Sequence, residues 1–197
     1  VSMDALATPY KVLKRGRVKA GETVAVFGAG GGVGIHQLMM ARWANTRVIA
    51  VDVAEEKKQA CLDAGADEFI NPEKVNTIEA ILDLTDGEGA DVAIDYVSAT
   101  ATLEAAAGAL RRHGRMITLG GAGAKFQVDS MEMLRKEQDL LGSRYTTRAD
   151  IIATYELIAK REVWPIVTDI RPMEEADAIH DLVEKGEVIG RAAITMN

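Results

Sequence analysis

Residues 24–43 read "VAVFGAGGGVGIHQLMMARW", and the topology of the chain can be worked out from them. An apolar run meets a turn with five glycines in the seven positions 28–34, and a segment of helical periodicity follows. Strand, glycine loop and helix together make a phosphate-binding arrangement. Glycines let a ligand lie against bare backbone, and the helix start offers free N–H groups with a partial positive charge. The common dinucleotide spacing Gly-x-Gly-x-x-Gly fits in no register, because Val33 or Ile35 falls in its third slot. The spacings that do fit are Gly28-x-x-Gly31-x-x-Gly34 and Ala29-x-Gly31-x-x-Gly34. Gly28 then allows the sharp exit from the strand, Gly31 leaves room for a pyrophosphate, and Gly34 seats the helix close to the strand.

Working outward, short β-branched runs alternate with helical segments. Strands are expected at 22–28, 47–52, 66–71, 90–97, 115–121 and 139–146. Helices are expected at 32–45, 54–65, 75–85, 100–114 and 150–163. Near-continuous apolar strand cores such as "VAVF", "VIAV" and "MITL" require cover on both faces, as in a parallel sheet. Right-handed crossovers then give an α/β, doubly wound parallel sheet of Rossmann type, order 3-2-1-4-5-6, with helices on both faces. After residue 163 a strand and a second helix are expected, followed by a closing strand at 189–196; this closing strand need not join the main sheet.

Asp52 ends the second strand, 18 positions after Gly34. A carboxylate there can accept from both ribose hydroxyls of an adenosine and repels a 2′-phosphate. The following "VAEE" adds negative charge, so NAD is expected ahead of NADP. The alternative reading of Asp52 is a solvated acid at a strand end.

Composition narrows the partners. The chain has 197 residues, 48% hydrophobic and 27% charged, and 23 basic against 30 acidic side chains give a net charge of -7. An acidic surface without basic runs argues against nucleic acid. No apolar run reaches the roughly 20 residues that span a bilayer, and no signal peptide is read at the start. One cysteine, Cys61, is read as a small buried apolar residue and fits a reducing cytosol, so a cytoplasmic location is expected. His36, His113 and His180 have no partners at metal-ligand spacing. His36 sits in the first turn of the helix after the loop; it is read as a surface or capping residue, the alternative being a contact with the cofactor.

The segments "VFGAGGGVG", "VDVAEEKK", "CLDAGADEFIN", "RRHGRMITLGG" and "GEVIGRAAI" together resemble the medium-chain dehydrogenase/reductase superfamily. More narrowly, the chain resembles the C-terminal cofactor domain of a zinc-dependent alcohol dehydrogenase, over nearly its whole length. The resemblance implies a single NAD-binding domain over 1–197, with its core at about 15–170. Segments 1–14 and 171–197 would contact a GroES-like catalytic domain N-terminal to this region. It also implies that Gly30, Gly31, Gly32 and Val33 meet the pyrophosphate and that Asp52 and Lys57 hold the ribose. Val97 would border the adenosine, while Leu119, Gly120, Ser143 and Tyr145 would lie along the nicotinamide. The region near Ser143 would be the edge strand through which a homo-oligomer forms. Asp4, followed by Thr8 and Tyr10, matches a ligand of the catalytic zinc, the other ligands coming from the catalytic domain. The alternative for Asp4 is a helix cap or surface acid.

The implied activity is hydride transfer between nicotinamide and a small alcohol or carbonyl substrate in the intact enzyme, with this chain inactive alone. The longer loop "GAGGGVG" is closer to that of zinc-independent quinone and enoyl reductases of the superfamily, which remain an alternative. A non-catalytic nucleotide-sensing module is an alternative of another class.

Overall fold

A computed structural model describes residues 1–121 and 123–196. Six parallel strands form the central sheet in the order β3-β2-β1-β4-β5-β6. They are β1 (Thr23–Phe27), β2 (Arg47–Val51), β3 (Glu68–Ile70), β4 (Ala90–Asp95), β5 (Leu110–Thr118) and β6 (Asp139–Gly142). Helices α1 (Ser2–Ala5) and α2 (Ala7–Arg15) precede β1. Between the strands lie α3 (Gly34–Trp43), α4 (Lys58–Asp63), α5 (Thr77–Leu84), α6 (Thr100–Gly108) and α7 (Ser130–Lys136). After β6 come α8 (Arg148–Ala159), β7 (Val167–Pro172), α9 (Ala176–Glu184) and β8 (Arg191–Thr195). The doubly wound topology is therefore the expected one. As anticipated, the closing strand β8 stands apart from this sheet; it pairs with β7 in a parallel two-stranded sheet.

The period of two in β1 explains the two layers. Val24 and Val26 point into one apolar core with Ile35, Leu38 and Val48, while Ala25 and Phe27 point into another with Ile49, Ile81 and Leu103. Both faces of the strand are buried, so its continuous apolar run is a packing requirement. No helix among the described residues is long and apolar enough to cross a membrane.

Several boundaries differ from expectation. The helix expected to run to residue 114 ends at Gly108, because β4 captures the Ala109 carbonyl through the Ala90 N–H at 2.8 Å. Residues 110–114 then enter β5 through a register shift against β4. The strand expected to run to 146 stops at Gly142, and Tyr145 turns the chain with φ +52°. Side chains of α2 satisfy the freed carbonyls: Arg15 donates to Gly142 O and Lys11 to Arg144 O. Helix α7, which the periodicity does not announce, is capped by Asp129 Oδ1, accepting from the Met131 and Glu132 N–H groups.

Candidate functional site

The glycine loop lies at the C-terminal end of β1, where the strand order reverses between β1 and β4. A doubly wound sheet opens its ligand crevice at this point. Gly28 adopts φ +73°, which only glycine takes at little cost, and its N–H donates to Val51 O at 2.9 Å. A Cβ on Gly34 would stand 2.0 Å from Gly28 O, so this position admits no other residue without moving the helix. A Cβ on Gly30 would strike the Lys57 stem at 2.6 Å, and one on Gly32 would strike Arg191 Nε at 2.8 Å. Gly31 is less constrained, its nearest neighbour being Gly28 O at 3.3 Å.

At the start of α3, Val33 offers no side-chain cap, and no backbone acceptor is found for the N–H groups of Gly32, Val33 and Gly34 among the described residues. Three donors converge at a helix N-terminus, a geometry suited to an anion. Asp52 is locked beside them: its Oδ2 accepts from Gly30 N–H at 2.7 Å and its Oδ1 from Ala54 N–H at 3.0 Å. Each oxygen keeps a lone pair for an incoming hydroxyl. On the β4 side, Asp95 is wholly buried. Its Oδ1 accepts from Val97 and Ser98 N–H and its Oδ2 from Thr102 Oγ1, which shapes the turn facing the loop.

Three clefts bear on the site, two of them lined by loop residues. The first, of about 500 Å³, has apolar walls from Phe27, Val51, Val53, Pro72 and Ala105. The second, of about 360 Å³, is lined by Gly31, Gly32, Lys57 and Arg191. The third, of about 470 Å³, brings together Asp4, Thr8, Val33, Leu119, Gly120, Ser143 and Tyr145, which lie far apart in sequence. Ser143 Oγ is buried beside this cleft without a hydrogen-bond partner. Tyr96 closes the same cleft. Its hydroxyl donates to Gln37 Oε1 at 2.8 Å, and burial holds its pKa well above the ordinary range. Val97 sits outside the three clefts and packs over Gly28.

Two residues of the site escaped the sequence reading. Arg191, 159 positions beyond Gly32, donates from Nε to Gly32 O at 3.2 Å and from Nη2 to Asp4 Oδ2 at 2.6 Å. Its segment "GEVIGRAAI" is recognisable, but nothing local shows that β8 folds back onto the loop. His36 is the other, and its expected surface position is wrong: the side chain is fully buried. Burial holds its pKa below the usual value, against the hydrogen bond to Gly32 O. The Arg191 cation lowers it further and the Asp4 carboxylate opposes.

The dinucleotide expectation fits this cradle of bare backbone, open N–H donors and fixed Asp52 carboxylate. Zinc does not fit the described residues. Both Asp4 oxygens are engaged, by Thr8 Oγ1 at 3.2 Å and by Arg191, and no group of three His, Cys, Asp or Glu side chains comes together. A catalytic zinc needs three protein ligands, and these residues offer at most one.

Comparison with known proteins agrees with this geometry. Residues 32–160, well over half of the chain, match the family described as zinc-binding dehydrogenase. A NAD-dependent alcohol dehydrogenase of Sulfurisphaera tokodaii is 29% identical over 188 residues, covering 95% of this chain and 54% of that protein. The crystal structure of AibC superposes with a TM-score of 0.87 at 34% identity, covering 100% of this chain and 60% of that one. The alcohol dehydrogenase of the hyperthermophilic archaeon Aeropyrum pernix superposes with a TM-score of 0.89 at 30% identity, covering 97% and 55%. The chain spans about half the length of the curated relatives it matches. By fold, loop geometry and sequence, the chain belongs to the zinc-binding dehydrogenase family.

Proposed function

We propose that this chain binds NAD(H) as the cofactor half of an alcohol dehydrogenase-like oxidoreductase. The observation that carries this reading is the set of open N–H groups on Gly32, Val33 and Gly34, with the Asp52 carboxylate fixed beside them by Gly30. Gly28, Gly30, Gly31 and Gly34 give the pyrophosphate its approach, and Arg191 adds a cation. Asp52 accepts from the ribose hydroxyls while Lys57 lines the phosphate cleft. The apolar cleft under Val53 takes the adenine, with Val97 bordering that side. Leu119, Gly120, Ser143 and Tyr145 line the nicotinamide end. Bound nicotinamide supplies the hydride chemistry, exchanged with a small alcohol or carbonyl substrate. The protein's part is to hold the ring against one wall of the cleft and exclude water from it.

Asp4 is the one zinc-ligand candidate in this chain, and zinc would need its other ligands from a catalytic domain outside the chain. Segments 1–14 and 171–197 are the proposed contacts with that domain. Ile170, Met173 and Val183 are left exposed around the β7–β8 unit, which suits such a contact. Among the described residues β6 has a hydrogen-bonded neighbour only in β5, so its other edge near Ser143 is the proposed pairing surface of a homo-oligomer. The single buried thiol fits a reducing cytoplasm.

Fluorescence titration tests the cofactor reading. NADH is expected to bind at least about tenfold more tightly than NADPH, since a 2′-phosphate would meet the Asp52 carboxylate. Tighter NADPH binding overturns it. The 197-residue chain alone is expected to bind NADH without oxidising alcohols, and measurable turnover by it contradicts that part.

A further inference from the structure

A closed ring of hydrogen bonds lies behind the glycine loop. His36 Nδ1 is 2.8 Å from Gly32 O, and His36 Nε2 is 2.8 Å from the Ile166 N. A carbonyl only accepts and a backbone N–H only donates, so the imidazole is neutral with its hydrogen on Nδ1. The ring closes through Arg191, whose N–H donates to Ile166 O at 3.0 Å and whose Nε donates back to Gly32 O at 3.2 Å. Four segments are thereby joined: the loop, α3, the connection before β7, and β8.

The consequence lies in one peptide unit. Gly32 C=O and Val33 N–H belong to the same planar trans peptide and point in opposite directions. Holding the carbonyl from behind aims the Val33 N–H forward, toward the proposed phosphate position. We propose that His36 is a positioning residue that couples dinucleotide binding at the loop to the docking of the C-terminal unit of β7, α9 and β8. This rests on the cofactor reading above. Coupling of this kind is reciprocal: whatever tightens the docking tightens the cofactor, and the reverse.

Hydrogen exchange and NADH titration of the folded chain test it. Saturating NADH is expected to slow exchange at the Ile166 amide by about fivefold or more, beyond any slowing at Leu140 in β6. His36→Asn can keep a donor near Gly32 but loses the acceptor for Ile166. Its NADH Kd is expected to rise about tenfold and the response at Ile166 to vanish. His36→Gln, keeping acceptor reach and losing the Nδ1 donor, is expected to weaken NADH similarly. A merely structural histidine would lower the melting temperature of the variants and leave the Ile166 response in place. The proposal is overturned if the variants keep wild-type Kd and response, or if Ile166 in the wild type ignores NADH. The wild-type measurement decides the matter even where a variant fails to fold. If no NADH binds at all, the cofactor reading fails and this inference falls with it. If NADH binds and Ile166 is unmoved, only this inference fails.

Discussion

At the scale of single residues, Gly34 is the least replaceable position of the loop. Its missing Cβ would overlap Gly28 O at 2.0 Å, and that oxygen is backbone and cannot swing aside. Gly34→Ala is therefore expected to cost about 2–4 kcal/mol in denaturant unfolding and to abolish NADH binding in whatever folds. Gly31→Ala meets only one neighbour at 3.3 Å, and is expected to spare stability while weakening NADH, because its added methyl occupies phosphate space. Asp52→Asn is expected to narrow the gap between NADH and NADPH affinity. Cys61 gives a contrasting case. Burial pushes its thiol up to about 12, so at pH 8 it is protonated, and a thiol reagent is expected to leave it unmodified until the chain unfolds.

At the scale of elements, α8 is held to α2 by a small polar cluster. Thr147 and Asp150 form a capping box, and Lys14 Nζ donates to Asp150 Oδ1 at 2.6 Å. Burial alone would raise the Asp150 pKa, but the hydrogen bonds from Lys14 and Thr147 outweigh it and hold the carboxyl below its ordinary 3.8. The same bond to Asp150 raises Lys14 above its ordinary 10.5. The Asp150 contribution is thus fully present above pH 3.8 and lost as pH falls through its lower folded value. The Lys14 contribution is present below pH 10.5 and lost as pH rises past its higher folded one. Melting temperature against pH is expected to fall below this window, and Asp150→Asn to flatten the acid limb. Thr147→Ala, removing the cap, is expected to cost about 1 kcal/mol. The helix boundaries teach a related lesson. The segment 100–114 reads as one helix because Ala, Leu and Arg favour helix throughout, yet β4 takes the Ala109 carbonyl and turns 110–118 into strand. Long-range pairing overrode local propensity there.

At the scale of the whole molecule, the clefts are built from segments distant in sequence, and ligand binding stabilises the fold that builds them. At a hundredfold excess over Kd, NADH is expected to add about 2.7 kcal/mol, a rise of about 5–10 °C in melting temperature. Calorimetry of the chain with and without NADH checks this, and NADPH at equal concentration is expected to give a smaller rise.

The sequence by itself determined the layered α/β sheet and its strand order. Strand runs such as "VAVF" and helix periods are local patterns, and right-handed crossover leaves few ways to join them. It also determined the strand-loop-helix turn, since five glycines and the Asp52 that follows all lie within 25 positions, 28–52. Only the tertiary structure decided what stands behind and beside that loop. Arg191 and Ile166 reach it from over a hundred positions away, and Asp4 and Ser143, from opposite ends of the chain's sheet-forming part, line one cleft. The buried place of His36 was decided in the same way. A helix period of 3.6 says which residues share a face, but the partner of that face is chosen by chain segments distant in sequence. The packing of those segments carries no local mark.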